Sequence, residues 1–130
     1  MILAIKTAEP TAELAITDRE GREIVRQEWL AERQLAKELL TRLESLLAQA
    51  DTDWNHLSGL IVFKGPGSFT GLRIGITVMN TIAYAQEIPI VGQAGNAWLD
   101  DGIVRLKAGD NDQIVLPEYG APARITQQRK

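Results

Sequence analysis

The chain has no cysteine, a single histidine, few aromatic residues and no long apolar run. Without cysteine there is no disulfide, no thiolate nucleophile and no cysteine-based zinc site. With His56 as the one histidine, no two-histidine metal motif can form. No apolar stretch approaches the ~20 residues of a bilayer-spanning helix, and the N-terminus lacks a secretory-signal pattern. These absences predict a cytoplasmic location with no membrane contact. Positive charge is not in excess either: the net charge is −3, whereas dedicated nucleic-acid binders carry a basic field. What is present is a globular balance of 45 % apolar and 24 % charged residues over 130 positions, enough for one ordinary core.

The apolar pattern divides the chain. "MILAIKTAE" opens with a run suited to a buried strand, "AELAITD" alternates into the turn "DREG", and "REIVRQEWL" is β-prone again. The three predict an antiparallel meander. From Ala31 to Ala50 the period changes to that of a helix. Leu35, Leu39, Leu43, Leu46 and Leu47, with Ala36, Leu40 and Ala50, fill an arc of roughly 140°. Arg33, Lys37, Glu38 and Glu44 lie opposite, and Glu32 falls in the first turn, where an acid suits the helix dipole. "LSGLIVFKG" is a β-branched strand, "TGLRIGITVMNTIAYAQ" a helix and "IPIVGQ" a last core strand. The order is β-β-β-α-β-α-β, ending in a parallel crossover. Residues 1–92 form this α/β unit. Residues 93–130 read as a reduced C-terminal segment. There, "DDGIVRLKAGDNDQIVLPEYG" has two apolar runs about a polar turn and predicts a β-hairpin, and "APARITQQRK" a frayed tail.

The densest stretch is "FKGPGSFTGLRIG", Phe63 to Gly75. A P-loop would need Gly-Lys-Ser/Thr after four residues. Here five residues separate Gly65 from Gly71, and Leu72-Arg73 follow. A dinucleotide fingerprint would need glycine where Thr70 stands. A less specific anion site remains, built from the N–H groups of Phe69 to Leu72 at the helix start. The helix from Thr70 to Gln86 has an apolar and small-residue arc of about 200°. In a sheet ordered 3-2-1-4-5, right-handed crossovers place both helices on one face, and little is left to cover the second helix's outer side. Gly71 and Gly75 admit two readings, close approach of another protein's helix or close packing on the chain's own sheet. The width of the arc favours a partner interface.

"GPGSFTGLRIGI", with its preceding strand and the later "IPIVG", resembles the TsaB (YeaZ) family of the actin/Hsp70/sugar-kinase superfamily, from Met1 to Gln93. The resemblance implies an actin-like (ribonuclease H-like) domain with a five-stranded mixed sheet in order 3-2-1-4-5, two helices on one face and, here, the C-terminal hairpin. It implies a non-catalytic subunit in the synthesis of N6-threonylcarbamoyladenosine at position 37 of tRNA. Its implied partners are the transferase TsaD and the ATPase TsaE, and it reaches tRNA only indirectly. Family members pair through the two helices, with TsaD or as homodimers. On this sequence that surface would use Leu35, Leu39 and Leu43 of the first helix. The second would add Gly71, Leu72, Arg73, Gly75 and Ile76, then Met79, Asn80 and Ala83. A charge at Met79 or Ala83 should then break the complex without unfolding the chain. No cofactor is implied for this chain alone; ATP or ADP and Mg²⁺ belong to the complex.

Two departures stand out. The family's Asp-Thr-Ser/Thr turn after the first strand is here "KTAEP", with Lys6 in the acidic position, and lysine cannot ligate Mg²⁺. Lys6 and Lys64 end neighbouring strands at the crevice where open sheets place ligands. Lys6, Thr7, Lys64, Gly65, Gly67, Ser68 and Thr70 are thus a candidate anion site, set against the blander reading of two solvated lysines. Family members also continue into a second α/β domain, whereas here "IPIVGQAGNAWLDDGIVRL" leads straight to the expected hairpin, which would cover the sheet face the helices leave open. Peptidase chemistry is not supported, because Ser68 lacks a Gly-x-Ser-x-Gly setting and His56 lacks metal-binding partners. Arg124, Arg129 and Lys130 would give tRNA only weak, salt-sensitive attraction.

Overall fold

The computed structural model describes residues 1–118 apart from 9, 32, 33 and 68. The three β-prone runs form β1 (Ile2–Lys6), β2 (Thr11–Thr17) and β3 (Glu23–Leu30), an antiparallel meander as the alternation predicts. Helix α1 (Leu35–Gln49) follows, then β4 (Gly59–Gly65), α2 (Phe69–Gln86) and β5 (Ile90–Ala94). β4 pairs in parallel with β1 and β5, and the sheet order is β3-β2-β1-β4-β5. Among the described residues Glu38 is the acid of the first turn of α1; Glu32 and Arg33 lie outside them.

The segment read as a hairpin is instead a helix, α3 (Trp98–Lys107), followed by an extended run to Glu118. The β-branched "IV" pair suggested a strand. The longer pattern is helical: Trp98, Gly102 and Leu106 are four apart, with Leu99 and Ile103 beside them. Asp100 and Asp101 occupy the first turn and Arg105 and Lys107 the last, both favoured by the helix dipole. Gly109, at φ +86°, ends it. The Asp110 N–H closes back on the Arg105 carbonyl at 3.0 Å, the six-to-one bond of a glycine-terminated helix.

The sheet has two differently covered faces. Gly102 and Leu106 of α3 lie on Ile61 and Gly59, and Trp98 meets the Phe63 ring edge-on at 5.9 Å. Strand alternation therefore turns Leu60 and Val62, and with them Leu3 and Ile5 of β1, to the opposite face, where α1 and α2 pack together. Both crossover helices share a face, as expected. The other face is covered by α3 where the hairpin was expected to lie. Over β2 and β3 that second face carries Arg26 among Glu13, Glu23 and Glu28, with Ile24 and Leu30 exposed beside them. Trp98, Ile103 and Val115 join the same hydrophobic core as the strands.

Candidate functional site

The glycine loop and the start of α2 pack on the chain itself. The buried Thr7 hydroxyl donates to the Gly71 carbonyl at 2.7 Å. A Cβ at Gly75 would overlap Thr7 Oγ1, and one at Gly67 would overlap Ala8. Gly75, with the Thr7 bond to the Gly71 carbonyl, thus brings α2 close to the end of β1. For Gly75 the second of the two sequence readings holds, and the expectation that it forms part of a flat spot for a partner helix is corrected. Gly65 lies against the Glu118 backbone, whose N–H donates to the Lys64 carbonyl at 2.6 Å.

The two lysines of the candidate anion site do not converge. Lys64 pairs with Glu118 at 3.3 Å. The Lys6 ammonium sits 4.6 Å from the Phe63 ring centroid, on the α3 side of the sheet, whereas Thr7 turns to α2. Thr70 is exposed on α2, and Ser68 lies outside the described residues. This set does not suit Mg²⁺: Lys6 is a cation, and among the described residues no group of three or more His, Asp or Glu could hold a metal. His56 is exposed, with Nδ1 2.7 Å from Asp53 Oδ1. It precedes β4 while the glycine loop follows it, so the strand's length of roughly 20 Å separates the two.

The expected interface residues divide by burial. Leu35, Leu39 and Leu43 of α1, and Leu72, Gly75, Ile76, Met79 and Ala83 of α2, are buried in the chain's own core, Met79 to 0 % exposure. They face the sheet because both helices put their apolar centre on it. A charge at Met79 or Ala83 should therefore destabilise the chain itself, where the sequence expectation left its fold intact. Asn80 is also engaged within the chain, bonding both the N–H and the carbonyl of Val115, at 2.9 and 3.0 Å. Arg73 is exposed and Gly71 half-buried.

What α2 turns outward is a neighbouring strip. Ile74, Val78 and Ile82, each four apart, are half-buried. Arg73, Thr70 and Thr77 flank them, and Ala36 of α1 completes a shallow cleft of about 410 Å³. Leu40, one turn further along α1, is 55 % exposed. The 3.6-residue period contained this signal, since these residues fall at the edge of the apolar arc, where a helix pair meets its outer neighbour. Sequence reasoning chose the centre of the arc, which belongs to the sheet.

A five-stranded mixed sheet in order 3-2-1-4-5, with both crossover helices on one face, defines the actin-like (ribonuclease H-like) class. Residues 28–93 match the family model "TsaD: tRNA N6-adenosine threonylcarbamoyltransferase". Among curated proteins the chain is similar to the "tRNA threonylcarbamoyladenosine biosynthesis protein TsaB" of Bacillus subtilis (strain 168), 37 % identical across 68 % of this chain and 38 % of that one. The protein of the same name from Escherichia coli (strain K12) is 32 % identical, over 82 % of this chain and 48 % of its own length. Among solved structures, "YeaZ from Pseudomonas aeruginosa" matches with a TM-score of 0.65 at 28 % identity, over 72 % of this chain and 44 % of that one. The chain belongs to the TsaB (YeaZ) family, within the wider group that the TsaD model describes. It spans less than half the length of these relatives.

Proposed function

We propose that this chain is a non-catalytic accessory subunit in the synthesis of N6-threonylcarbamoyladenosine on tRNA, acting in the cytoplasm. It docks a TsaD-like transferase through the outer faces of α1 and α2. The carrying observation is the strip Ile74–Val78–Ile82 beside Ala36 and Leu40, which leaves apolar surface on a helix pair already anchored to its sheet. The comparisons support the choice of partner. The chain aligns both with TsaB proteins and, at 27 % identity, with a "tRNA N6-adenosine threonylcarbamoyltransferase" of Anoxybacillus flavithermus (strain DSM 21510 / WK1). Such a partner would carry a helix pair of the same descent. Two such pairs can stack about a pseudo-two-fold axis as a four-helix layer. In this reading a TsaE-like ATPase joins the pair, ATP or ADP with Mg²⁺ is held by the assembly, and tRNA is reached through the partner.

The test is a Val78→Glu, Ile74→Glu double variant mixed with a TsaD-like protein of the same source. Affinity should fall about tenfold or more, while the thermal midpoint of the isolated chain stays within a few degrees. Undiminished co-elution would overturn the reading. A chain that ignores the TsaD-like protein but self-associates through Val78 would instead be a homodimer using the same face.

A further inference from the structure

An edge strand with unpaired main-chain groups is a template for pairing with another chain. β5 is the edge strand on the parallel side of this sheet. In a parallel ladder, alternate residues direct both N–H and C=O outward. Val91 faces β4, so Ile90 and Gly92 face away. All four of their groups are satisfied without a sixth strand. The Ile90 N–H donates to Asn111 Oδ1 at 3.1 Å, and the Ile90 carbonyl accepts from the Asp112 N–H at 2.8 Å. The Gly92 N–H donates to Asp112 Oδ2 at 2.8 Å, and the Gly92 carbonyl accepts from Arg105 Nη1 at 3.3 Å.

The groups that do this are locked to one another. Arg105 of α3 forks onto the Asp112 carboxylate and donates Nε to Asp110 at 3.0 Å. It thereby ties the helix on one face of the sheet to the segment crossing the edge. The Arg105 guanidinium, with the Gly92 N–H, holds the Asp112 carboxyl below its usual range. Past the edge, Val115 is buried and its backbone is gripped by Asn80 of α2. Glu118 then reaches Lys64. Residues 110–118 so run from α3, around β5, to α2 on the opposite face.

We propose that residues 110–118 form a latched strap that takes the place of a sixth strand and keeps β5 from pairing with β5 of a second copy of this chain. Two such edges meeting about a two-fold axis would join two five-stranded sheets into one, a self-complementary contact. The strap prevents this with one main-chain bond, from Asp112 to Ile90, and three side-chain bonds, which satisfy the edge without a strand ladder.

The test is an Asp112→Ala, Asn80→Ala variant of the full chain, made in a Val78→Glu background so that association through the helices is removed. At a concentration where the variant is monomeric, residue-resolved amide exchange should quicken about tenfold or more at Ile90 and Gly92 but not at Val91. Sedimentation should show a concentration-dependent dimer that the Val78→Glu chain alone lacks. Unchanged exchange at Ile90 and Gly92 would overturn the proposal, as would faster exchange with no added dimer. Equal acceleration at Val91 would also overturn it, because the strap would then be inseparable from the global fold. An Arg105→Lys variant, which keeps the charge but not the fork, should give a smaller acceleration at Gly92 than Asp112→Ala alone.

Discussion

One hydroxyl sets how closely α2 approaches the sheet. Thr7 is buried, bonds the Gly71 carbonyl and occupies the space that a side chain at Gly75 would need. Glycine to alanine inside a helix normally gains about 1 kcal/mol. Here Gly75→Ala should cost about 1–3 kcal/mol, because neither the strand end nor the helix backbone can yield cheaply. Urea denaturation measures it, and an unchanged midpoint would remove the steric argument. Adding Thr7→Ala should recover part of that loss, so the two substitutions should be clearly non-additive. Gly75 was legible in the sequence as a small residue on the helix. Which neighbour required it was not, since Thr7 comes from the other end of the unit. Lys6 and Lys64 teach the same lesson. Their placement at strand ends could be read, but strand alternation and the partners Phe63 and Glu118 send them apart.

Among the elements, α1, α2 and the five strands follow the periods in the sequence, while α3 does not follow the local reading. "GIVRL" taken alone suits a strand, and the helical face appears only when Trp98 and Leu99 are included. The two sides of α3 should respond differently to charge. Val104 is 65 % exposed and Ile103 only 5 %. Val104→Lys should shift stability by no more than about 0.5 kcal/mol. Ile103→Lys should cost about 3 kcal/mol or more, because it sends an ammonium into the core. Thermal melts of the two variants check this. Equal effects would contradict the helix and its orientation. α2 shows why an apolar arc misleads about interfaces: its centre, Leu72–Ile76–Met79–Ala83, is already used by the sheet. The flank Ile74–Val78–Ile82 packs on the rim of the core and stays half-buried.

For the whole molecule, the two sheet faces are covered by different elements. α1 and α2 cover one face, and α3 covers the part of the other that presents Ile61 and Phe63. The rest of that face, over β2 and β3, carries the Arg26 cluster. A chain ended at Gln93 would lose α3 and the strap together, exposing an apolar face and an open edge. It should accumulate as aggregate, whereas the full chain stays in solution. Soluble, monomeric truncated protein in a sedimentation assay would show that the face does not need its cover. The sequence expectation of a cover at this place survives, with a helix in place of a hairpin.

The sequence by itself determined the strand meander, the parallel crossover and the family, and through the family's likeness the expected sheet order. Each of these depends on periodicity, turn residues or a motif contiguous along the chain. Only the tertiary structure decided what the residues are for. It buried the centre of the α2 arc and left its flank, gave Gly75 to Thr7, parted the two lysines, and brought Asn111, Asp112 and Arg105 to the edge of β5. Those outcomes depend on pairs separated by tens of residues, or on backbone groups that every residue carries alike. No local pattern records them.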